Sequence, residues 1–187
     1  MARLIAQEWM TLDGVVQAPG SPDEDQSGGF DHGGWHLQYF DEGSMRWVVT
    51  NLTEASGFVL GRRTYQAFAS HWPDAPAEEQ VLADPLNSKP KFVASTTLEE
   101  PLAWSHAQVL KGELEEAVRA LKEDHDGPLL VIGSATLVRT LVALDLIDEF
   151  RFMIDPLMVG GGKDIFPKDG VLRSLRLTEH DVTTTGA

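Results

Sequence analysis

Short apolar runs alternate with segments of helical periodicity along most of this chain. Arg3 to Met10 reads as a first buried strand. Gly57–Leu60, Lys91–Ala94 and Leu129–Ile132 are short runs suited to central strands covered on both faces. Between them, Leu114, Ala117, Val118 and Leu121 recur at helical spacing over Glu113–Lys122. Acids stand near the start of that segment and Lys122 near its end, where the helix dipole favours each. Leu137, Val138, Leu141 and Leu144 mark another helix that begins just after Ile132-Gly133-Ser134. The alternation predicts an α/β fold, a three-layer sandwich around a central, mostly parallel sheet. From Ile147 the pattern changes: Phe150, Phe152 and Ile154 alternate with Arg151, Met153 and Asp155, as in a strand with two unlike faces. Pro156, the run Gly160–Gly162 and an apolar–polar segment follow, which predicts an antiparallel C-terminal edge. Pro19 to Gly34 is rich in Gly, Ser, Asp and Pro and is expected to be a mobile loop. Neither a repeat nor a linker divides the chain, so residues 1–187 are read as one domain.

Composition narrows the chemistry. The 187 residues contain no cysteine, which removes disulfides, zinc–thiolate sites, iron–sulfur clusters and thiol nucleophiles together. A net charge of −14 argues against nucleic acid as a partner, and an anionic ligand would need basic groups and backbone amides gathered locally. No apolar run approaches the roughly 20 residues of a membrane span. The opening MARLIAQEWM is a poor secretory signal, because Gln7 and Glu8 break its apolar stretch. The expected location is the cytoplasm, with no membrane partner.

Three strand ends carry the chemistry. Val131-Ile132-Gly133-Ser134-Ala135-Thr136 runs from a buried strand into a helix through small residues, a place where free amides and the helix dipole suit a phosphate. The same residues also suit a tight turn in which Ser134 caps the helix. Leu60-Gly61-Arg62-Arg63-Thr64-Tyr65 repeats the arrangement with two guanidiniums, placed either for phosphate or as surface partners of nearby acids. Phe92-Val93-Ala94-Ser95-Thr96-Thr97 ends a third strand in hydroxyls that are ordinary loop residues when taken alone. Recurrence says more than any single member, since open α/β sheets bind ligands at the carboxyl ends of their strands.

These segments resemble the cofactor framework of the dihydrofolate reductase-like superfamily. Phe166-Pro167 fits it too, and Met10-Thr11-Leu12-Asp13-Gly14 with Pro156-Leu157 and Gly160–Gly162 is similar to one branch, the reductase domain of the riboflavin biosynthesis deaminase–reductase. The resemblance spans about Arg3 to Thr183. It implies a dihydrofolate reductase-like fold and an NADPH-dependent reductase that passes a hydride to a small heterocyclic substrate. Arg62, Arg63 and Thr64, beside Gly61, would meet the 2′-phosphate, with Ser95 and Thr96 along the adenosine. Ile132, Gly133, Ser134, Ala135 and Thr136 would cradle the pyrophosphate, and Val15 and Val16 would lie near the nicotinamide. A homodimer is implied by the branch alone. Two departures stand out: Ser134 and Ala135 replace glycines of the framework, and the zinc deaminase half, with its His-x-Glu and Pro-Cys-x-x-Cys, is absent.

Hydride transfer also needs a proton source. Asp13 ranks first, because the resemblance sets it beside the nicotinamide, although a short acid before glycine equally fixes a turn. Asp41 and Glu42 follow, on the helix expected after the first loop, where an exposed acidic pair is the plain alternative. Trp35, Tyr39 and Phe40 could stack on a flat substrate or pack in the core. His32 and His36 give no metal signal with Gly33-Gly34 between them, and Gly160-Gly161-Gly162-Lys163 lacks the phosphate-loop pattern and reads as a flexible hairpin bordering the substrate. Two other readings stay open: reduction of dihydrofolate itself, and a non-catalytic nucleotide-binding protein that kept the fold.

Overall fold

The computed structural model describes residues 1–187. Strand β1 (Leu4–Thr11) lies inside the sheet, flanked by β5 (Leu129–Ile132) and β6 (Glu149–Asp155). Beyond β5 come β2 (Gly57–Gly61), β3 (Lys91–Ala94) and the short edge strand β4 (Ala107–Val109), giving the order β4-β3-β2-β5-β1-β6. Side chains alternate between two cores. Leu4, Ala6 and Met10 of β1 join Val59, Phe92, Leu129 and Val131 in one cluster, which α4 (Leu114–Asp124) and α5 (Ala135–Ala143) cover with Val118, Leu121, Leu137, Val138 and Leu141. Ile5 faces the other way with Phe58, Leu60, Val93 and Leu130. There they meet Val48 and Leu52 of α1 (Glu42–Glu54), Tyr65 of α2 (Arg62–Ala69) and Leu86 of α3 (Gln80–Ser88). These are the three layers that the apolar runs foretell.

Every strand pairing is parallel, and this corrects the expected antiparallel edge. The last strand, β6, runs alongside β1 from Ile5↔Glu149 to Thr11↔Asp155, and no strand follows it. Leu172, Leu175, Leu177 and Val182 are exposed, so the apolar–polar alternation of the tail has no buried face to pair against. For the same reason Gly160–Gly162 sits in a loop and not in a hairpin.

One charge is buried without a carboxylate. Lys91, at the start of β3, is fully buried, and its Nζ donates to the carbonyls of Leu86 (2.8 Å), Lys89 (2.9 Å) and Asn87 (3.2 Å). It closes the C-terminal end of α3, where the helix dipole welcomes a cation, and lies 4.3 Å from the centre of the Trp104 ring. Burial lowers its pKa to about 8.

Candidate active site

The carboxyl ends of β2 and β5 lie side by side, and each leads within one or two residues into a helix, α2 or α5. Ser134 joins the two turns. Its hydroxyl accepts from the Gly61 amide at 2.9 Å and donates to Thr64 Oγ1 at 2.8 Å. It therefore does not cap α5, a correction to the serine-cap reading, and no side chain caps either helix. The first-turn amides of both helices stay available to a ligand. Gly133 and Ser134 are both left-handed, at φ +55° and +63°, and that double turn swings the chain from β5 into α5. A left-handed serine is strained by about 1–2 kcal/mol, an amount its two hydrogen bonds can offset.

Replacing Ser134 by alanine should destabilise the fold by about 1–3 kcal/mol, since it strands the Gly61 amide and keeps the strain. Glycine at the same position should recover about 1 kcal/mol of that loss. Urea unfolding of both variants checks the pair, and equal losses would show that the left-handed turn carries no cost.

Arg62 and Arg63 are exposed at the start of α2, and no carboxylate lies within ion-pair distance of either. The reading of them as partners of nearby acids is thus not realised. Ser95 turns its hydroxyl back to accept from the Thr97 and Leu98 amides, while Thr96 is exposed, both just past β3. Ile132 ends β5, Ala135 is half-buried and Thr136 exposed in the first turn of α5. The free amides and unpaired guanidiniums fit a phosphorylated dinucleotide, and they are concentrated on an otherwise acidic molecule.

The opposite wall is built by the chain after β1. Val15 and Val16 are buried, Val15 in a small cluster with Ala18, Phe30 and Trp35. Trp35 is thereby a packing residue, its Nε1 donating to the Gln17 carbonyl at 2.8 Å, and it is not free to stack on a ligand. Residues 27–32 and 159–163 border an open cleft of about 590 Å³. Asp13 ties this wall together, accepting from Thr11 Oγ1 at 2.5 Å, from the Gly160 amide at 2.8 Å and from the Val159 amide at 3.4 Å. Those donors hold its carboxyl below the usual carboxylate range, so it stays ionised and makes a poor acid at neutral pH.

Asp41 is also committed elsewhere. The stretch 33–39 forms turns, and Asp41 is the N-cap of α1, accepting from the Ser44 amide at 2.9 Å. Thr184 Oγ1 at 2.6 Å and the Thr185 amide at 3.2 Å donate to its other oxygen, so the C-terminal turn is clasped to this cap. With Thr184 as the largest cause, its pKa is strongly lowered, which is the reverse of what a proton donor needs. Glu42 is exposed in the first turn of α1, placed for the helix dipole. Tyr39 contributes its carbonyl to Thr185 Oγ1, and Phe40, 37% exposed, is the most accessible of the three aromatic candidates.

Two buried polar groups, Glu8 and His36, were given no place in the site by the sequence reading. Glu8 is 5% exposed on the α5 side of β1, and burial, reinforced by Glu24, pushes its carboxyl well above the usual range. His36 is buried against Asp155, Nδ1 to Oδ2 at 2.8 Å, with Trp9 stacked on its ring at 4.4 Å. The signal for Glu8 was available, as the single charged residue inside a buried strand. The His36–Asp155 pair joins residues 119 positions apart, and no spacing announces it.

Comparison with known proteins places these features in a family. The model of the RibD C-terminal domain matches residues 2–187. YyaP, an uncharacterized protein of Bacillus subtilis (strain 168), is 28% identical over 166 residues, covering 88% of this chain and 80% of YyaP. Among solved structures, a candidate riboflavin biosynthesis protein from Shewanella sp. PV-4 superposes with a TM-score of 0.69 at 24% identity, covering 100% of this chain and 94% of that one. Dihydrofolate reductase from Enterococcus faecalis, complexed with NADP(H) and RAB-propyl, gives 0.59 at 13% identity, covering 98% of this chain and 89% of its own.

Proposed function

Because the chain belongs to the RibD C-terminal domain family, we propose that it is an NADPH-dependent reductase of a small heterocyclic substrate. One observation carries the reading: two uncapped helix starts, stitched side by side by Ser134, with Arg62 and Arg63 unpaired at their edge. In this reading the turn into α5, from Gly133 to Thr136, holds the pyrophosphate, and Arg62, Arg63 and Thr64 hold the 2′-phosphate. Ser95 and Thr96 border the adenosine, while Val15 and Val16 shield the nicotinamide from water. Bound there, the dinucleotide supplies a hydride; the protein's own share is to bind, orient and exclude solvent. A soluble cytoplasmic homodimer is the form we propose for it. No helix is long and apolar enough to cross a membrane.

The test is a fluorescence titration with NADPH and with NADH, followed by NADPH oxidation against a panel of pyrimidines, pterins and dihydrofolate. Preferential NADPH binding with turnover of a pyrimidine supports the reading. Turnover of dihydrofolate alone would reassign the substrate, and binding without turnover on any of them would leave a nucleotide-binding protein.

Asp13 enters this reading as the tether of the 159–160 loop. Asp13→Asn keeps one acceptor oxygen in place of two, so it should leave NADPH affinity within about twofold and lower turnover about tenfold. Steady-state kinetics beside a binding titration separates the two, and unchanged turnover would remove Asp13 from the site.

A further inference from the structure

The two edges of the sheet differ. At β4 the edge is closed, because Val109 donates its amide to the Glu100 carboxylate at 3.0 Å. β6 is the other edge, paired with β1 on one side only, and no side chain bonds to its backbone. Its apolar face continues to that edge. The rings of Phe150 and Phe152 lie 5.4 Å apart against the core on the α5 side, and Ile154 is 43% exposed. A row of unpaired amides and carbonyls beside an apolar strip is a template for another strand.

The C-terminal tail has the matching deficit. Between Val171 and Val182 no amide or carbonyl bonds to another backbone group, and Leu172, Leu175, Leu177 and Val182 are 70–90% exposed. Apolar exposure gathered in one segment marks an interaction surface. Within its own chain the tail is pinned at both ends, Arg173 to Asp145 at 2.9 Å and to Asp169 at 3.0 Å, and Thr184 to Asp41 at 2.6 Å. It makes no ladder with β6. Gly170 opens the segment in the left-handed region, at φ +74°, with open space around its Cβ position, and supplies a hinge.

One antiparallel register suits both partners. With Leu177 opposite Phe152, Leu175 falls opposite Ile154, Thr178 opposite Arg151 and His180 opposite Glu149. The apolar residues then share one face and no like charges meet, whereas Leu175 opposite Phe152 would set Arg176 against Arg151. We propose that two copies of this chain exchange tails, residues 171–182 of each adding antiparallel to β6 of the other. Each copy carries one open edge and one donor strand to match it, so a closed two-fold dimer satisfies both, while a foreign strand on β6 would leave the tail uncovered. With their strand backbones the two faces amount to on the order of 800 Å² per copy, the size of a stable interface. The exchange names the interface of the homodimer in the reductase reading.

The test is analytical ultracentrifugation of the full chain and of two variants. Wild type should be a dimer at about 10 μM, since interfaces of this size bind at micromolar concentration or tighter. Leu177→Lys alters the donor strand and Ile154→Lys the edge, and each should weaken dimerisation about 100-fold. Both side chains are exposed in the single chain, and circular dichroism checks that the variants fold. A second readout needs no lysine variant. The chain has no cysteine, so Leu175→Cys mixed with Ile154→Cys should be joined by a short bismaleimide at dimer mass, and neither alone should be. In a chain carrying both cysteines, a bridge at monomer mass would place the tail on its own β6 and overturn the proposal. A monomeric wild type, or a dimer that both lysines leave intact, also overturns it. If the wild type is a monomer that binds and oxidises NADPH, the reductase reading stands and the exchange falls. If the crosslinked dimer forms but NADPH does not bind, the exchange stands and the reading falls.

Discussion

Replacing Arg62 and Arg63 together by alanine is expected to weaken NADPH binding about 100-fold and to change NADH binding by less than about threefold. A hydrogen bond to a charged group is worth about 1.5–3 kcal/mol, and two of them at the lower bound already amount to about 100-fold in a dissociation constant. Only NADPH carries the 2′-phosphate that they would meet. The two guanidiniums have no carboxylate partner to lose, so their removal should cost the fold little, and thermal unfolding provides that control. Equal losses for the two cofactors, measured by titration at one ionic strength, would move the adenosine end elsewhere.

The second large effect concerns Lys91, whose pKa is lowered to about 8 from 10.5 by burial. The folded pKa lies below the unfolded one, so between about pH 8 and 10.5 the unfolded chain binds more protons and stability rises with pH. At 1.36 kcal/mol for each pKa unit, the rise is at most about 3 kcal/mol. Lys91→Met keeps the length of the side chain and removes the charge, so its stability should rise less than the wild type's across this window, what remains coming from Lys89, whose pKa burial also lowers. At pH 7 two effects oppose each other: the variant no longer buries an ammonium, but it abandons the carbonyls of Leu86, Asn87 and Lys89. Urea midpoints from pH 7 to 10 for both proteins decide the matter. A wild-type curve parallel to the variant's would show that the ammonium is solvated after all.

How much of this was legible depended on how local the signal was. The runs at Lys91–Ala94 and Leu129–Ile132 became β3 and β5 without change, because a strand covered on both faces must be apolar throughout. Glu113–Lys122 became α4 with a shift of one or two residues, as its stripe of Leu114, Val118 and Leu121 demands. The tail misled because Leu175 and Leu177 alternate with polar neighbours as strand residues do, yet nothing covers them. Alternation describes a half-buried surface only where a partner supplies the buried half. At the site, the strand-end motifs were readable since glycine, arginine and serine there are contiguous in sequence. What holds Asp41 and His36 was not readable for the converse reason. Asp41 is held by Thr184 and Thr185 from the far end of the chain, and His36 depends on Asp155, contacts that tertiary structure alone creates.

Ser134 links the two turns at which we propose the nucleotide binds. One hydroxyl fastens the turn after β2 to the turn after β5, so a displacement of one turn is expected to be felt by the other. Stiffening either turn stiffens the other, and the ordering cost is met once for both halves of an extended ligand. A fragment bound at the guanidinium end would thereby prepare the amides at the pyrophosphate end, and cooperativity of this kind would travel through one oxygen atom.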